Sequence, residues 1–356
     1  MKDRFRQIID DAKPRHAVTH LDRRTGSWIF IVVDDDTLGP AAGGTRMKEY
    51  EAPQEGLIDA LRLASNMTRK WAAFDMNQGG GKAVLAASQP LKRQEREGML
   101  RRYGKVVEQL GGQFTTGIDL GTTRADIAIV AEETRYVHSA FTTTTLDIGH
   151  CTALGVLVAM QVAARNRLGS ANLSGVSVLL QGTGNVGAVL ARLLAEAGAV
   201  VKVSDIDLTR ANKIADQTGA TVVPFNSLVD ESCDVYAPCA DGRVLNCDTV
   251  PRLRCSIVVG SANDQLSNPL EADRLYHRGI LYVPDYIANA GAAIAVHLYD
   301  HGFPESNIRN RIEAIGETLQ DILLEAEKRS QPPYHTVECR IQARLQTARC
   351  RANVKK

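Results

Sequence analysis

The sequence has few aromatics, no clear excess of charge of either sign, no paired-cysteine motif and no apolar run of membrane length. Phe, Trp and Tyr make up 5% of the 356 residues, and Lys plus Arg number 42 against 41 Asp plus Glu. So small a net charge argues against a dedicated nucleic-acid binder, whose surface usually carries a strong basic excess. No run of about 18 consecutive apolar residues occurs, so no membrane span is expected. The opening "MKDRFRQIIDDAKPRH" is charged throughout and lacks an apolar centre, so it does not read as a secretory signal. The seven cysteines (Cys151, Cys233, Cys239, Cys247, Cys255, Cys339 and Cys350) are odd in number, irregularly spaced and without a C-x-x-C pair. Reduced thiols in a cytoplasmic protein are therefore expected. His297 and His301 stand four apart, but the zinc-protease pattern needs a Glu after the first His and finds Leu298 instead. No metal site is expected.

What is present is an alternation of strand-like and helix-like segments long enough for two domains. "SWIFIVV" (27–33) reads as a strand and "LGPAAGGTR" (38–46) as a Gly/Pro loop. Leu57, Leu61, Ala64, Met67 and Trp71 recur at helical steps and predict an amphipathic helix over 53–71. "NQGGGKAVLAA" reads as a glycine-rich bend entering a strand, 94–110 as a second helix, and "FTTGIDLGTT" (114–123) as a strand opening into a polar loop. Beyond it, 151–166 is an Ala/Val-rich helix, followed by an apolar strand at 176–180, a helix to about Ala197 and a strand at 200–205. The units "CDVYAPC", "CSIVVGSAN" and "GILYVPDYIANAG" continue the pattern. The fold class is α/β: an N-terminal α/β domain followed by a doubly wound parallel sheet of the Rossmann type. Near the end "KRSQPPYH" breaks any helix. The last 17 residues carry Arg340, Arg344, Arg349, Arg351, Lys355 and Lys356 against no acid. That pattern predicts a final helix with a frayed basic end, or an electrostatic contact with a neighbouring subunit.

Gly182, Gly184 and Gly187 form G-x-G-x-x-G between the strand at 176–180 and the helix after it, and Asp205 ends the next strand 18 residues on. In a dinucleotide site the first glycine permits the turn and the second lets backbone approach the pyrophosphate. The third permits close helix–strand packing, and the helix N-terminus faces the phosphates. An acid at Asp205 accepts from ribose hydroxyls and repels a 2′-phosphate, which favours NAD over NADP; nearby Arg210 keeps NADP as the lesser alternative.

The reacting groups have to come from the other domain. Lys82 follows Gly79-Gly80-Gly81, Lys70 falls on the polar side of the 53–71 helix, and Asp119 stands in a loop between Gly117 and Gly121. Asp119 could serve only as a turn carboxylate, and Lys70 as a solvated charge. Together, two lysines and an aspartate suit an amino acid: one lysine for its carboxylate, the acid for its ammonium, the second lysine for protons. Burial and a neighbouring cation would lower the pKa of that lysine.

Nine segments in order resemble one family: "TLGPAAGGTR" (37–46), "MTRKWA" (67–72), "GGGKAV" (79–84), "TGIDLGT" (116–122), "TALGV" (152–156), "QGTGNVG" (181–187), "APCA" (237–240), "GSAND" (260–264) and "PDYIANAGAAI" (284–294). From about residue 15 to 325 the chain resembles the Glu/Leu/Phe/Val dehydrogenases, NAD(P)-using amino acid dehydrogenases, within the phenylalanine, leucine, valine and tryptophan branch. The resemblance implies a substrate-binding and oligomerisation domain over 1–145 and an NAD-binding domain over 146–324. It also implies that 325–356 packs back on the first domain and that the chain forms a homo-oligomer. It implies that Lys70 binds the substrate carboxylate with Gly43, Gly44 and Asn263, that Lys82 is the general base activating water, and that Asp119 binds the amino group and shuttles its proton. Gly182, Gly184, Asn185, Val186, Gly187 and Asp205 would hold the adenosine half of NAD. Thr152, Ala237, Pro238, Cys239, Ala262, Asn263 and Asn289 would lie along its nicotinamide half. Hydride would pass from Cα to the nicotinamide, water would add to the resulting imine, and the carbinolamine would collapse to a 2-oxo acid and ammonia. Closure between domains would exclude bulk water.

Ala42, Trp71, Met76, Thr115, Ala293, Ile294 and His297 would line the side-chain pocket. No cation aims there, which speaks against glutamate. Small Ala42 and Ala293 leave room for an aromatic ring, while Trp71 could refill that room and His297 could face a polar group. An apolar, aromatic L-amino acid is the expected substrate and an aliphatic one the alternative. Two other readings stay open: an enzyme with the same domain order, as in methylene-tetrahydrofolate dehydrogenases, and a coenzyme-binding sensor without turnover.

Overall fold

In the computed structural model, which describes residues 2–143 and 146–354, the chain up to Leu146, joined by the chain from Ile341 on, forms one unit, and Asp147–Arg340 forms another. The first unit opens with helix α1 (Lys2–Ala12) and the antiparallel strands β1 (His16–Asp22) and β2 (Ser27–Asp35). Short strands β3 (Ala41–Ala42) and β4 (Thr45–Glu49) precede the long helix α2 (Pro53–Ala73). Then come strand β5 (Gly79–Ala87), helix α3 (Arg93–Gln109), strand β6 (Phe114–Thr115) and helix α4 (Arg124–Ala131).

Strand β5 is the centre of this mixed sheet, ordered β1-β2-β5-β3-β6 with β4 also paired to β5. Side chains alternate between the two faces of a strand, and both faces are covered here. Phe30, Val32, Val84 and Ala86 pack on Leu57, Ala60, Leu61 and Ala64 of α2. Ile29, Ile31, Val33, Ala83 and Leu85 pack with Met99, Leu100, Tyr103 and Val107 of α3. Strands buried on both sides must be apolar throughout, which is why 27–33 shows no polar alternation.

Two local expectations are corrected. Segment 38–46 is not simply a loop, because it contains β3 and the start of β4, pieces too short to display a period. The triple glycine is not a bend either. Gly79, Gly80 and Gly81 are the first residues of β5, all buried, and their missing side chains answer to packing rather than to a ligand. A Cβ on Gly80 would stand 2.0 Å from Thr68 Oγ1 of α2, and one on Gly81 2.7 Å from the Phe114 ring. Gly43, between β3 and β4, passes so close that its Cβ would lie 1.8 Å from the Gly81 carbonyl oxygen.

The second unit begins with α5 (Ile148–Leu168), β7 (Ser177–Gln181), α6 (Asn185–Glu196), β8 (Val200–Ser204), α7 (Leu208–Thr218) and β9 (Thr221–Val222). The chain then returns to the middle of the sheet with β10 (Val235–Pro238) and β11 (Ile257–Val258). Helix α8 (Leu270–His277), β12 (Leu281–Tyr282) and α9 (Asp285–Ala288) follow. The run closes with α10 (Gly291–Asp300), α11 (Glu305–Glu313) and α12 (Ile315–Lys328). All six strands are parallel, in the order β12-β11-β10-β7-β8-β9. That is the doubly wound arrangement, with its reversal point between β7 and β10, where ligands bind such sheets. Helix α5 is long and apolar enough by length and composition to cross a membrane, which a search for uninterrupted apolar runs overlooks. Half of its apolar window is buried, against α6, α10, α11 and α12, as befits a core helix.

The break at "KRSQPPYH" separates α12 from α13 (Pro333–Val354). From Ile341 this helix belongs to the first unit, whereas 325–340 stays with the second. Arg344 donates to the carbonyls of Ala72 (2.7 Å) and Met76 (3.1 Å) and pairs with Asp75, closing the C-terminal end of α2. Arg349 pairs with Asp35, and Arg340 with Glu325. At these three positions acids or carbonyls of its own chain meet the charge, and the helix continues to Val354, while the Arg340 and Arg349 side chains stay exposed. Lys355 and Lys356 lie outside the described residues.

Candidate active site

On β5 the even-numbered residues face α2, so Lys82 lies on the side of Val84 and Ala86. Strand β4 pairs Arg46 with Val84, which puts Arg46 on the same face. Asp119 comes from the turn between β6 and α4. Gly44 lets that turn close in, since a Cβ there would lie 2.9 Å from Asp119 Cβ. Its carbonyl accepts from the Ala83 amide at 3.1 Å.

The result is a chain of buried charges. Lys82 Nζ stands 3.0 Å from Asp119 Oδ1, and Arg46 Nε donates to Asp119 Oδ2 at 2.9 Å. Arg46 Nη1 reaches Asp59 Oδ2 of α2 at 3.0 Å, and Tyr50 Oη donates to the same oxygen at 2.6 Å. None of the four charged side chains is more than 14% exposed. Buried charges persist only when paired in this way. Burial pushes the Lys82 amine below the usual lysine range; the Asp119 carboxylate opposes this and the Arg46 cation adds to it. For Asp119 burial acts upward, yet Lys82 and then Arg46 hold its carboxyl well below the ordinary range. Such an arrangement suits a neutral amine next to a permanent anion.

Lys70 lies in the last turn of α2 and is buried rather than solvated. Beside it Trp71 is enclosed, its Nε1 donating to the Ala42 carbonyl at 3.1 Å. Ala42 and Met76 are buried too, and Thr115 is half-buried in β6. In the second unit Ile294 is fully buried in α10, while Ala293 and His297 are half-buried. The His297 and His301 rings lie tilted against each other with centroids 4.3 Å apart, and no group of three metal-ligating side chains occurs among the described residues.

The second unit offers backbone rather than charge. Gly182 adopts φ +103°, and a Cβ on Gly187 would stand 2.1 Å from the Gly182 carbonyl oxygen. Around Gly184 nothing lies within 4 Å of an added Cβ, and no side chain caps α6, which starts at Asn185 and Val186. Asp205 is half-buried. Its Oδ2 accepts from Thr183 N (2.8 Å) and Oγ1 (2.9 Å), its Oδ1 from Asp207 N (2.9 Å). Arg210 pairs with Asp207 at 3.0 Å. Past β10, the Ala262 amide bonds the Pro238 carbonyl and the Cys239 amide that of Gln181. Asn289 Nδ2 holds Ser261 O (3.1 Å) and Asn263 Oδ1 (3.0 Å), while its buried Oδ1 has no partner. Thr152 Oγ1 donates to Ile148 O within α5. An uncapped helix start, open space at Gly184 and an orphaned buried acceptor fit a dinucleotide.

Arg46, Asp59 and Tyr50 were not singled out from the sequence. The signal was there: an arginine two residues after Gly44, in a strand whose Thr45 and Met47 turn to the opposite, apolar face. Without β4 the alternation was invisible.

Comparison with known proteins agrees with this geometry. Residues 23–136 match the Glu/Leu/Phe/Val dehydrogenase, dimerisation domain, and residues 145–213 and 208–299 match the Glutamate/Leucine/Phenylalanine/Valine dehydrogenase family. A leucine dehydrogenase of Geobacillus stearothermophilus is 37% identical over 334 residues, covering 92% of this chain and 89% of that protein. A phenylalanine dehydrogenase of Thermoactinomyces intermedius is 37% identical over 335 residues, covering 92% and 90%. The crystal structure of L-tryptophan dehydrogenase from Nostoc punctiforme superposes with a TM-score of 0.76 at 34% identity, covering 96% and 99%.

Proposed function

This chain belongs to the Glu/Leu/Phe/Val dehydrogenase family, and from that premise we propose that it catalyses the NAD-dependent oxidative deamination of an apolar L-amino acid. The products are the 2-oxo acid and ammonia, and the reaction runs in both directions. The observation that carries the reading is the buried contact of Lys82 with Asp119 at 3.0 Å, flanked by a second cation.

Gly182 to Gly187, with Asp205, hold the adenosine half of the coenzyme, and Asn289, Asn263, Thr152 and the turn after Pro238 hold the nicotinamide half. Bound NAD supplies the acceptor for the hydride that leaves Cα. Lys70 binds the substrate carboxylate as a point charge, with the backbone at Gly43 and Gly44 beside it. Asp119 accepts from the substrate amino group. Lys82 in its neutral form takes a proton from the water that adds to the imine carbon. It returns that proton to the carbinolamine nitrogen, then takes the hydroxyl proton as the carbonyl forms and ammonia departs, and gives it up to solvent. A lysine with an ordinary pKa is protonated near neutral pH, so the lowering at Lys82 suits it to act as a base there.

NAD rather than NADP is supported by Asp205, whose carboxylate repels a 2′-phosphate, and by Arg210, whose charge is taken by Asp207. An apolar side chain is supported by Trp71, whose only donor is spent on Ala42, leaving the indole's apolar faces. Small Ala42 and Ala293 support an aromatic substrate; the indole seated against Ala42 supports an aliphatic one. A homo-oligomer is supported by the dimerisation domain matched over 23–136. The test is NADH formation with a full panel of L-amino acids at alkaline pH. We expect turnover with at least one of leucine, valine, phenylalanine or tryptophan. A panel without any turnover would leave a coenzyme-binding sensor.

A further inference from the structure

The chemistry above uses Lys82 and Asp119 but not Arg46, although Arg46 is the group that joins them to the rest of the unit. Its guanidinium bridges two carboxylates, Nε on Asp119 Oδ2 and Nη1 on Asp59 Oδ2. Asp59 is fixed from its other side by Tyr50 and from below by its place in α2. An arginine does not give up its proton in a protein, so the bond on Asp119 Oδ2 is a constant one. Only Oδ1 is left toward Lys82. The bond from Nε ties Asp119 Oδ2 to a cation that is itself held on Asp59, and a charge-assisted bond of this kind is a strong one.

We propose that Arg46, anchored by Asp59, is a positioning residue that holds Asp119 as an anion with Oδ1 turned to Lys82 and, as a second cation close by, favours the neutral Lys82 amine. The inference rests on Lys82 being the general base. The charged groups acting on Lys82 are Asp119 from the β6–α4 turn, Arg46 from β4 and Asp59 from α2. With Arg46 present, the acid that Lys82 meets is already half satisfied. Without it, Asp119 loses the cation on Oδ2, one positive charge near Lys82 is gone, and Lys82 keeps its proton to higher pH.

The test reads Lys82 directly, with no substrate. The full chain is acylated with acetic anhydride across a pH series, and modification at Lys82 is quantified by mass spectrometry. Removing the charge with Arg46→Gln should raise the midpoint by about one pH unit or more, and Arg46→Lys by less than half of that. The acid limb of kcat/KM, measured on whichever amino acid is turned over, should move by the same amount, with kcat recovering at high pH. An unchanged midpoint in Arg46→Gln, or an equal shift in Arg46→Lys, would overturn the proposal. If Arg46→Gln does not fold, Arg46→Lys against the parent chain still decides, since a shift of a full unit with the charge retained contradicts it. A chain without turnover on any amino acid would defeat the functional reading while leaving the acylation result intact.

Discussion

Asp119 and Asp205 are both aspartates beyond the ends of short strands, and both are held below the usual carboxylate range, yet by different means. Asp119 is surrounded by cations, Lys82 on one oxygen and Arg46 on the other. Asp205 is surrounded by neutral donors, two from Thr183 and one from the Asp207 amide. Burial opposes ionisation at both sites. The first site is a balance of formal charges in which one partner can lose its proton, so its state changes with pH. The second is held mainly by backbone and hydroxyl dipoles, with the Arg210 cation adding to them from further off. The first site can change its charge with pH, whereas the second keeps its carboxylate in one place.

Breaking each half separately sharpens this contrast, and the largest effect belongs to the charged half. Lys82→Ala should lower kcat by about 10²–10⁴-fold, the usual worth of a positioned acid–base group, with NAD binding measured by fluorescence unchanged. In the parent chain deamination should rise with pH as Lys82 loses its proton. The midpoint should lie below that of an ordinary lysine, because burial, and then Arg46, favour the neutral amine. A midpoint at or above the ordinary value would separate Lys82 from the base role.

The dipolar half makes the next prediction, through two glycines that differ only in what surrounds them. Gly184→Ala puts a methyl group into open space, so NAD affinity should fall while the melting temperature stays. Gly187→Ala drives a methyl group into the Gly182 carbonyl, so stability should fall by about 1–3 kcal/mol along with affinity. Equal melting curves for the two variants would refute the distinction. The smallest effect concerns the tail. Arg344→Met removes the side-chain donor to the Ala72 and Met76 carbonyls at the end of α2, Ala72 keeping only backbone amides, which should cost about 1–3 kcal/mol in thermal unfolding and leave the NAD site unaffected.

Much of this was legible in residue order. Lys82 and Asp119 stood out because glycines flank them, although Gly79–Gly81 open a strand instead of forming the expected bend, and Gly80 and Gly81 make room for Thr68 and Phe114. The β-α-β turn at 182–187 was readable in full because strand, glycines and helix are consecutive. Arg46 was not, since a five-residue strand carries too short a period to reveal which face a residue takes. Nor was the role of Arg344, which meets α2 some 270 positions earlier in the chain.

The sequence by itself determined the doubly wound second half, the dinucleotide turn and the kind of groups available for chemistry, because these depend on neighbours in the chain and on local backbone preference. Only the tertiary structure decided that β4 lies beside β5 with Arg46 and Lys82 on one face, and that Asp59 reaches them from α2. Charge pairing acts through space over a few ångströms, and residue order alone does not say which distant side chains come that close.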